Sequence, residues 1–135
     1  MRLRVSAEAP AVLDASAVLA YLEREPGLAA VRNALASGSV ISSVNLAEVY
    51  GRISVKGRDA AAIVGRLKAI GLGVEPFVEG DAAVTGSLLA ATREFGLSLA
   101  DRACLALARR LGSRVLTADR AWSNVDAGVE VEVLR

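Results

Sequence analysis

Short apolar runs alternate with longer stretches of helical period along most of the chain. Ala11-Val12-Leu13 ends at Asp14, and from Ser16 to Glu25 the spacing becomes helical, with Val18, Leu19 and Leu22 on one face. The pattern predicts a strand feeding a helix. Pro26 suits the first turn of a second helix, striped by Leu28, Val31 and Leu35 and stopped by Ser37-Gly38. Val40-Ile41 is a second strand, Ser42 or Ser43 an N-cap, and Leu46, Val49, Tyr50 and Ile53 the apolar stripe of the next helix. Asp59 caps a fourth helix with Ala60, Ile63, Leu67 and Ile70 inside, and Gly71 to Pro76 holds a third strand. Asp81 opens a fifth helix with Val84, Leu88, Ala91 and Phe95 at helical spacing. Ser98 and Asp101 form a capping box for a sixth, whose apolar side carries Leu99, Ala103, Leu107 and Leu111. Arg114 to Thr117 is a fourth strand, Ala118 to Trp122 a tight turn or short helix, and Val129 to Leu134 a terminal strand. Short apolar strands alternating with helices predict an α/β sandwich, a parallel sheet covered on both faces. Sites in such sheets lie just beyond the carboxyl ends of the strands.

The chain has 135 residues, 53% of them hydrophobic, which suits a single domain over 1–135, with 1–9 as a flexible leader. Sixteen basic residues against 15 acidic ones leave a charge of +1, so no bulk field selects nucleic acid or membrane. Histidine is absent, which excludes imidazole bases, Ser-His and Cys-His nucleophile pairs and the usual zinc sites. The lone Cys104 excludes an intrachain disulfide. No apolar run approaches the roughly 20 residues of a membrane span, and the expected location is the cytoplasm. Chemistry must therefore use carboxylates, hydroxyls, Arg or Lys.

Four carboxylates fall near one rim of the predicted sheet. Asp14 follows the first strand and Asp119 follows the fourth by two residues. Asp101 sits in the first turn of its helix, and Glu48 one turn into the helix after the second strand, opposite the Leu46/Ile53 stripe. Singly, each reads as a cap or a solvated helix face. Together they repel one another unless a cation holds them, and an all-oxygen donor set suits Mg²⁺ or Mn²⁺. Phosphotransfer domains with an Asp after the first strand need a second Asp where Ser16 stands, or a Lys after a late strand, and the only lysines are Lys56 and Lys68.

The stretches Val12 to Leu19, Asn45 to Val49, Leu97 to Ala108 and Val115 to Trp122 resemble, in order and spacing, the four acidic motifs of PIN-domain ribonucleases, specifically the VapC-type toxins of toxin–antitoxin pairs. The resemblance covers about residues 11–135. It implies a three-layer α/β/α sandwich with a central parallel sheet. It further implies a metal-dependent endoribonuclease in which Asp14, Glu48, Asp101 and Asp119 form an acidic quartet. Asp14 and Asp101 would be the direct ligands of Mg²⁺ or Mn²⁺, and Ser16 and Thr117 hydroxyls that orient a carboxylate or a water. Hydrolysis by water leaves a 5′-phosphate and a 3′-hydroxyl, with Arg52, Lys56, Arg102 and Arg120 near enough to hold RNA phosphates. A cognate antitoxin, seated in a groove over segments 16–36 and 43–70, and a homodimer are the implied partners. The alternative is a non-catalytic PIN scaffold that binds protein or RNA.

Overall fold

Three consecutive buried apolar residues, Ala11–Leu13, form β1, and their alternation divides the molecule into two cores. Ala11 and Leu13 point to one face of the sheet and Val12 to the other. The computed structural model describes residues 9–135, so the leader expected over 1–9 lies, but for its last residue, outside the described residues. After β1 come α1 (Ala15–Leu22), α2 (Leu28–Ser37), β2 (Ser39–Ser42), α3 (Ser43–Val55), α4 (Ala60–Ala69) and β3 (Leu72–Glu75). They are followed by α5 (Glu79–Thr92), α6 (Leu99–Leu111), β4 (Val115–Thr117) and β5 (Val131–Val133), with one-turn 3-10 segments at Arg93–Phe95 and Arg120–Trp122.

The five strands pair in parallel in the order β3-β2-β1-β4-β5. Val18, Val31, Leu35, Val49, Ile53, Val64 and Leu67 bring α1 to α4 onto the face of Leu13 and Leu116. On the other face, Leu88 of α5 and Cys104, Leu105 and Leu107 of α6 meet Val12, Val115 and the fully buried Trp122. Each such Leu or Val contributes about 1.5–3 kcal/mol by leaving water. The result is the expected three-layer α/β/α sandwich around a parallel sheet. Among the described residues no helix is long and apolar enough to cross a membrane.

The caps read from the sequence are made: Asp59 accepts from Ala62 N at 3.1 Å and Ser42 from Val44 N at 3.2 Å. Some boundaries and faces differ. Helix α1 stops at Leu22 and not Glu25, closed by Arg24 in the left-handed region at φ +56° and by the amides of Arg24 and Glu25, which donate back to Tyr21 O and Ala20 O. Pro26 then stands ahead of α2, whose cap is Gly27 at φ +98°. Tyr50, Ile70, Ala91 and Leu99, expected on inner faces, are exposed. On α5 the buried row is Asp81, Thr85, Leu88 and Thr92, since the helix begins two residues before Asp81. The buried Asp81 carboxylate is gripped by Arg110 of α6, Nε to Oδ1 at 3.0 Å and Nη2 to Oδ2 at 3.2 Å, which pins the two helices together. Gly71, at φ +128°, is obligatory before β3: a Cβ there would lie 1.9 Å from the Leu35 carbonyl oxygen.

Candidate active site

The strand order reverses between β1 and β4, and at such a reversal the connections leave to opposite faces and open a crevice beyond the carboxyl ends. Asp14, the residue after β1, sits there as the N-cap of α1 and accepts from Ala17 N at 2.8 Å. Thr117, the last residue of β4, donates to Asp14 Oδ2 at 2.6 Å, and Ser16 donates to the same carboxylate at 2.7 and 2.9 Å. The backbone aims both hydroxyls. Ala118 N donates to Ser16 Oγ at 2.9 Å and Asp119 N to Thr117 Oγ1 at 3.1 Å, so the hydroxyl protons are left for Asp14. Two amides beyond β4 thereby orient a carboxylate beyond β1.

Asp14, Glu48, Asp101 and Asp119 line one cavity of about 180 Å³, together with Ser16 and Arg52. Thr117 lies beneath it, fully buried, and reaches the site through Asp14. In the other three acids one carboxylate oxygen is pinned while the second has no hydrogen bond among the described residues. The α6 capping box uses Asp101 Oδ2, which accepts from Ser98 N at 2.9 Å. Asp119 caps the Arg120–Trp122 turn through Oδ1, accepting from Ala121 N at 2.9 Å. Glu48 Oε1 accepts from Asn45 Nδ2 at 3.2 Å. Capping and presentation of a free oxygen are compatible here because a carboxylate has two oxygens.

Glu48 is exposed yet lines the cavity, which resolves the conflict between its helical phase and its motif. The buried row of α3 is Asn45, Val49 and Ile53, not the stripe through Leu46 and Tyr50, and Glu48 borders that row one turn beyond Asn45. Asn45 itself was missed as a functional candidate, since a polar residue counts against an apolar stripe. Its spacing of four and eight from Val49 and Ile53 is the signal that finds it.

Burial raises Asp14 from the ordinary 3.8 to about 6, against the lowering by Thr117, Ala17 and Ser16, and the neighbouring Asp101 raises it further. Asp101 is also raised, first by burial and then by Asp119, with Ser98 opposing. The buried Cys104, one turn along α6 from Asp101, is pushed up by burial and by the charges of Asp14, Asp101 and Glu48. The thiol is therefore protonated and inert. Because Thr117 is the strongest of the groups holding Asp14 down, Thr117→Val should move the Asp14 titration above pH 6 in metal-free protein, as read by carboxyl-carbon NMR. An unmoved titration would mean that the hydroxyl does not donate to the carboxylate.

Of the four cations expected near phosphate, only Arg52 lines the acidic cavity. Arg102 donates to Thr85 O at 2.9 Å, Arg120 to Arg135 O at 3.2 Å, and Lys56 pairs with Glu23. A second cavity of about 390 Å³ adjoins the first, with Leu22, Ile53 and Leu67 inside and Lys56, Arg58 and Arg66 about it. Leu19 and Arg52 belong to both.

The family model of the PIN domain matches residues 11–128, which takes in all four acids. The chain belongs to the PIN domain family. Solved structures similar to this PIN domain include a toxin–antitoxin complex from Klebsiella pneumoniae, 15% identical, with a TM-score of 0.73 over 93% of this chain and 98% of that one. DNA-bound VapBC from Salmonella typhimurium is 19% identical, with a TM-score of 0.71 over 94% of this chain and 99% of that one. FitAcB from Neisseria gonorrhoeae is 21% identical, with a TM-score of 0.63 over 89% and 94% of the two chains. What this PIN domain shares with them at such identities is the fold. No curated protein sequence matches it.

Proposed function

We propose that this PIN domain is an endoribonuclease dependent on Mg²⁺ or Mn²⁺ and the toxin of a toxin–antitoxin pair, acting in the cytoplasm. The observation that carries the reading is Asp14: a buried carboxylate at the strand-order reversal, held by two backbone-aimed hydroxyls and facing a cavity lined by three further acids. Structural duty alone does not call for four carboxylates in one cavity, where Asp101 raises Asp14 and Asp119 raises Asp101.

The residues fit a hard cation. All donors are oxygens, and Asp14 and Asp101 electrostatically oppose one another across the cavity. Among the described residues no three Asp, Glu or Cys side chains converge tightly enough to cage an ion, and Mg²⁺ ordinarily takes only one or two carboxylates, filling its shell with water and substrate phosphate. Asp14 and Asp101 would hold it. When bound, the cation supplies charge that draws phosphate oxygens into the cavity and offsets the negative charge developing on phosphorus. Arg52 meets a phosphate of the RNA from the cavity wall. The free oxygens of Asp119 and Glu48 accept hydrogen bonds from the attacking water and orient it. Ser16 and Thr117 keep Asp14 from turning away. Since water and not a ribose hydroxyl attacks, no imidazole is needed and the phosphate stays on the 5′ end of the downstream fragment.

The partner reading rests on the similar structures, which are of toxin–antitoxin and VapBC complexes, and on the larger cavity, which falls within segments 16–36 and 43–70. An antitoxin segment seated there would touch Leu19 and Arg52 and so reach the wall of the acidic cavity. A homodimer completes the assembly proposed.

Purified protein freed of any partner should cut RNA only with Mg²⁺ or Mn²⁺ present, stop on addition of EDTA, and leave 5′-phosphate ends that accept a ligated adaptor directly. Cleavage that survives EDTA, or 5′-hydroxyl ends, would overturn the mechanism. Mn²⁺ binding without cleavage of any RNA would favour the scaffold.

A further inference from the structure

We infer that Asn45 is the positioning residue of the acidic cavity: its side-chain amide holds Glu48 at the cavity and ties α3 to the turn of α6 that carries Asp101. The inference rests on the proposed reading of the cavity as a metal-dependent nuclease site.

Asn45 is fully buried and begins the inner row that Val49 and Ile53 continue. An apolar side chain would extend that row without difficulty. The amide instead gives its two hydrogens to Glu48 Oε1 at 3.2 Å and to Ala100 O at 3.1 Å. Both partners are acceptors, which fixes the orientation of the amide. Its Oδ1 is buried with no hydrogen-bond partner among the described residues, an unfavourable arrangement that an amide kept only for packing does not explain. The bond to Ala100 is also dispensable for satisfying that carbonyl, because α6 already employs it in its own ladder with the amide of Cys104. What Asn45 does that no apolar residue could is hold Glu48.

Glu48 needs holding. It is exposed, carries no other hydrogen bond among the described residues, and shares its cavity with Asp14 and Asp101, so a long unrestrained side chain would turn out to solvent. The second amide bond ends on the residue before Asp101. One rigid group therefore spans from one acid to the neighbour of another and sets the spacing of the two helices that bear them. Groups that orient ligands in this way typically change metal affinity or activity by roughly 10–100-fold when removed.

The test is a cycle of Asn45→Ala, Glu48→Ala and the double variant, with Mn²⁺ binding to the otherwise metal-free full chain measured by titration calorimetry beside RNA cleavage and the melting temperature. Asn45→Ala should weaken Mn²⁺ binding about tenfold or more, and the double variant should lose less than the product of the two single losses, because Asn45 acts in part through Glu48 and in part through the α6 turn that carries Asp101. A lower melting temperature with unchanged Mn²⁺ affinity, or losses that multiply in the double variant, would make Asn45 a packing residue and overturn the inference. If Asn45→Ala fails to fold, Asn45→Thr replaces it in the cycle; its single hydroxyl donor should give an intermediate affinity, and an affinity equal to wild type would count against the proposal. A wild-type protein that neither binds Mn²⁺ nor cleaves RNA would remove the nuclease reading and this inference together. Wild-type binding and cleavage with an unaffected Asn45 variant would remove the inference alone.

Discussion

Asp14→Asn should abolish RNA cleavage and at the same time make the metal-free protein harder to unfold at neutral pH. The loss follows from removing the charge of the buried member of the quartet, and it should reach at least about a thousandfold, the upper end for one preorganised electrostatic contact. The gain follows from the titration. Folded Asp14 keeps its proton up to about pH 6, whereas the unfolded chain releases it near 3.8. The raised value means that stability from this group is complete below pH 3.8 and is lost as pH rises through that window, by about 3 kcal/mol at pH 7. Asparagine has the same shape and no such loss. With EDTA present, the melting temperature of Asp14→Asn should exceed that of wild type more at pH 7.5 than at pH 4.5, and Mn²⁺ should narrow the gap by stabilising wild type alone. A gap independent of pH would show that Asp14 is not buried as described, and retained cleavage would remove it from the site.

Asp101→Ala and Asp119→Ala should each lose nearly all cleavage, and the double variant little more than either. Three of the four acids keep an oxygen free of other bonds among the described residues and all border the same small cavity, so on the proposed reading they would act on one ion and one water as a unit. Independent roles would instead multiply. Capping complicates both substitutions, because each removes a helix or turn cap that contributes about 0.5–2 kcal/mol. The melting temperature of each variant therefore accompanies its rate, and multiplicative losses in well-folded variants would defeat the single-site account.

The order of strands and helices was legible because burial on both sides of a parallel sheet leaves uninterrupted apolar triplets such as Ala11-Val12-Leu13 between long amphipathic runs. Caps were legible for a local reason: Ser98 and Asp101 need only each other. Two kinds of feature were not. The faces of α3 and α5 were misjudged where the buried row contains polar residues, Asn45 in one and Asp81, Thr85 and Thr92 in the other. Their partners, Ala100 and Arg110, lie 55 and 29 residues away and no local pattern announces them. The cations behaved likewise. Arg102 and Arg120 adjoin acids in sequence, but a helix neighbour points some 100° away, and both found backbone carbonyls elsewhere. Arg52, four residues beyond Glu48 on the same flank, was the one that adjacency in space selected.

One of the two hydroxyls that hold Asp14, and both amides that aim those hydroxyls, come from Thr117, Ala118 and Asp119, more than 100 residues downstream of it. Until β4 has zipped onto β1, Asp14 lacks the Thr117 hydroxyl, the amide that aims Ser16 and its last acidic neighbour, and no amino-terminal fragment holds the complete set. For a chain proposed to destroy RNA, this timing matters to the cell that makes it. On the proposed reading, the growing polypeptide would be harmless while it is being translated and would become a nuclease only once its final strands had emerged and an antitoxin could meet the folded surface.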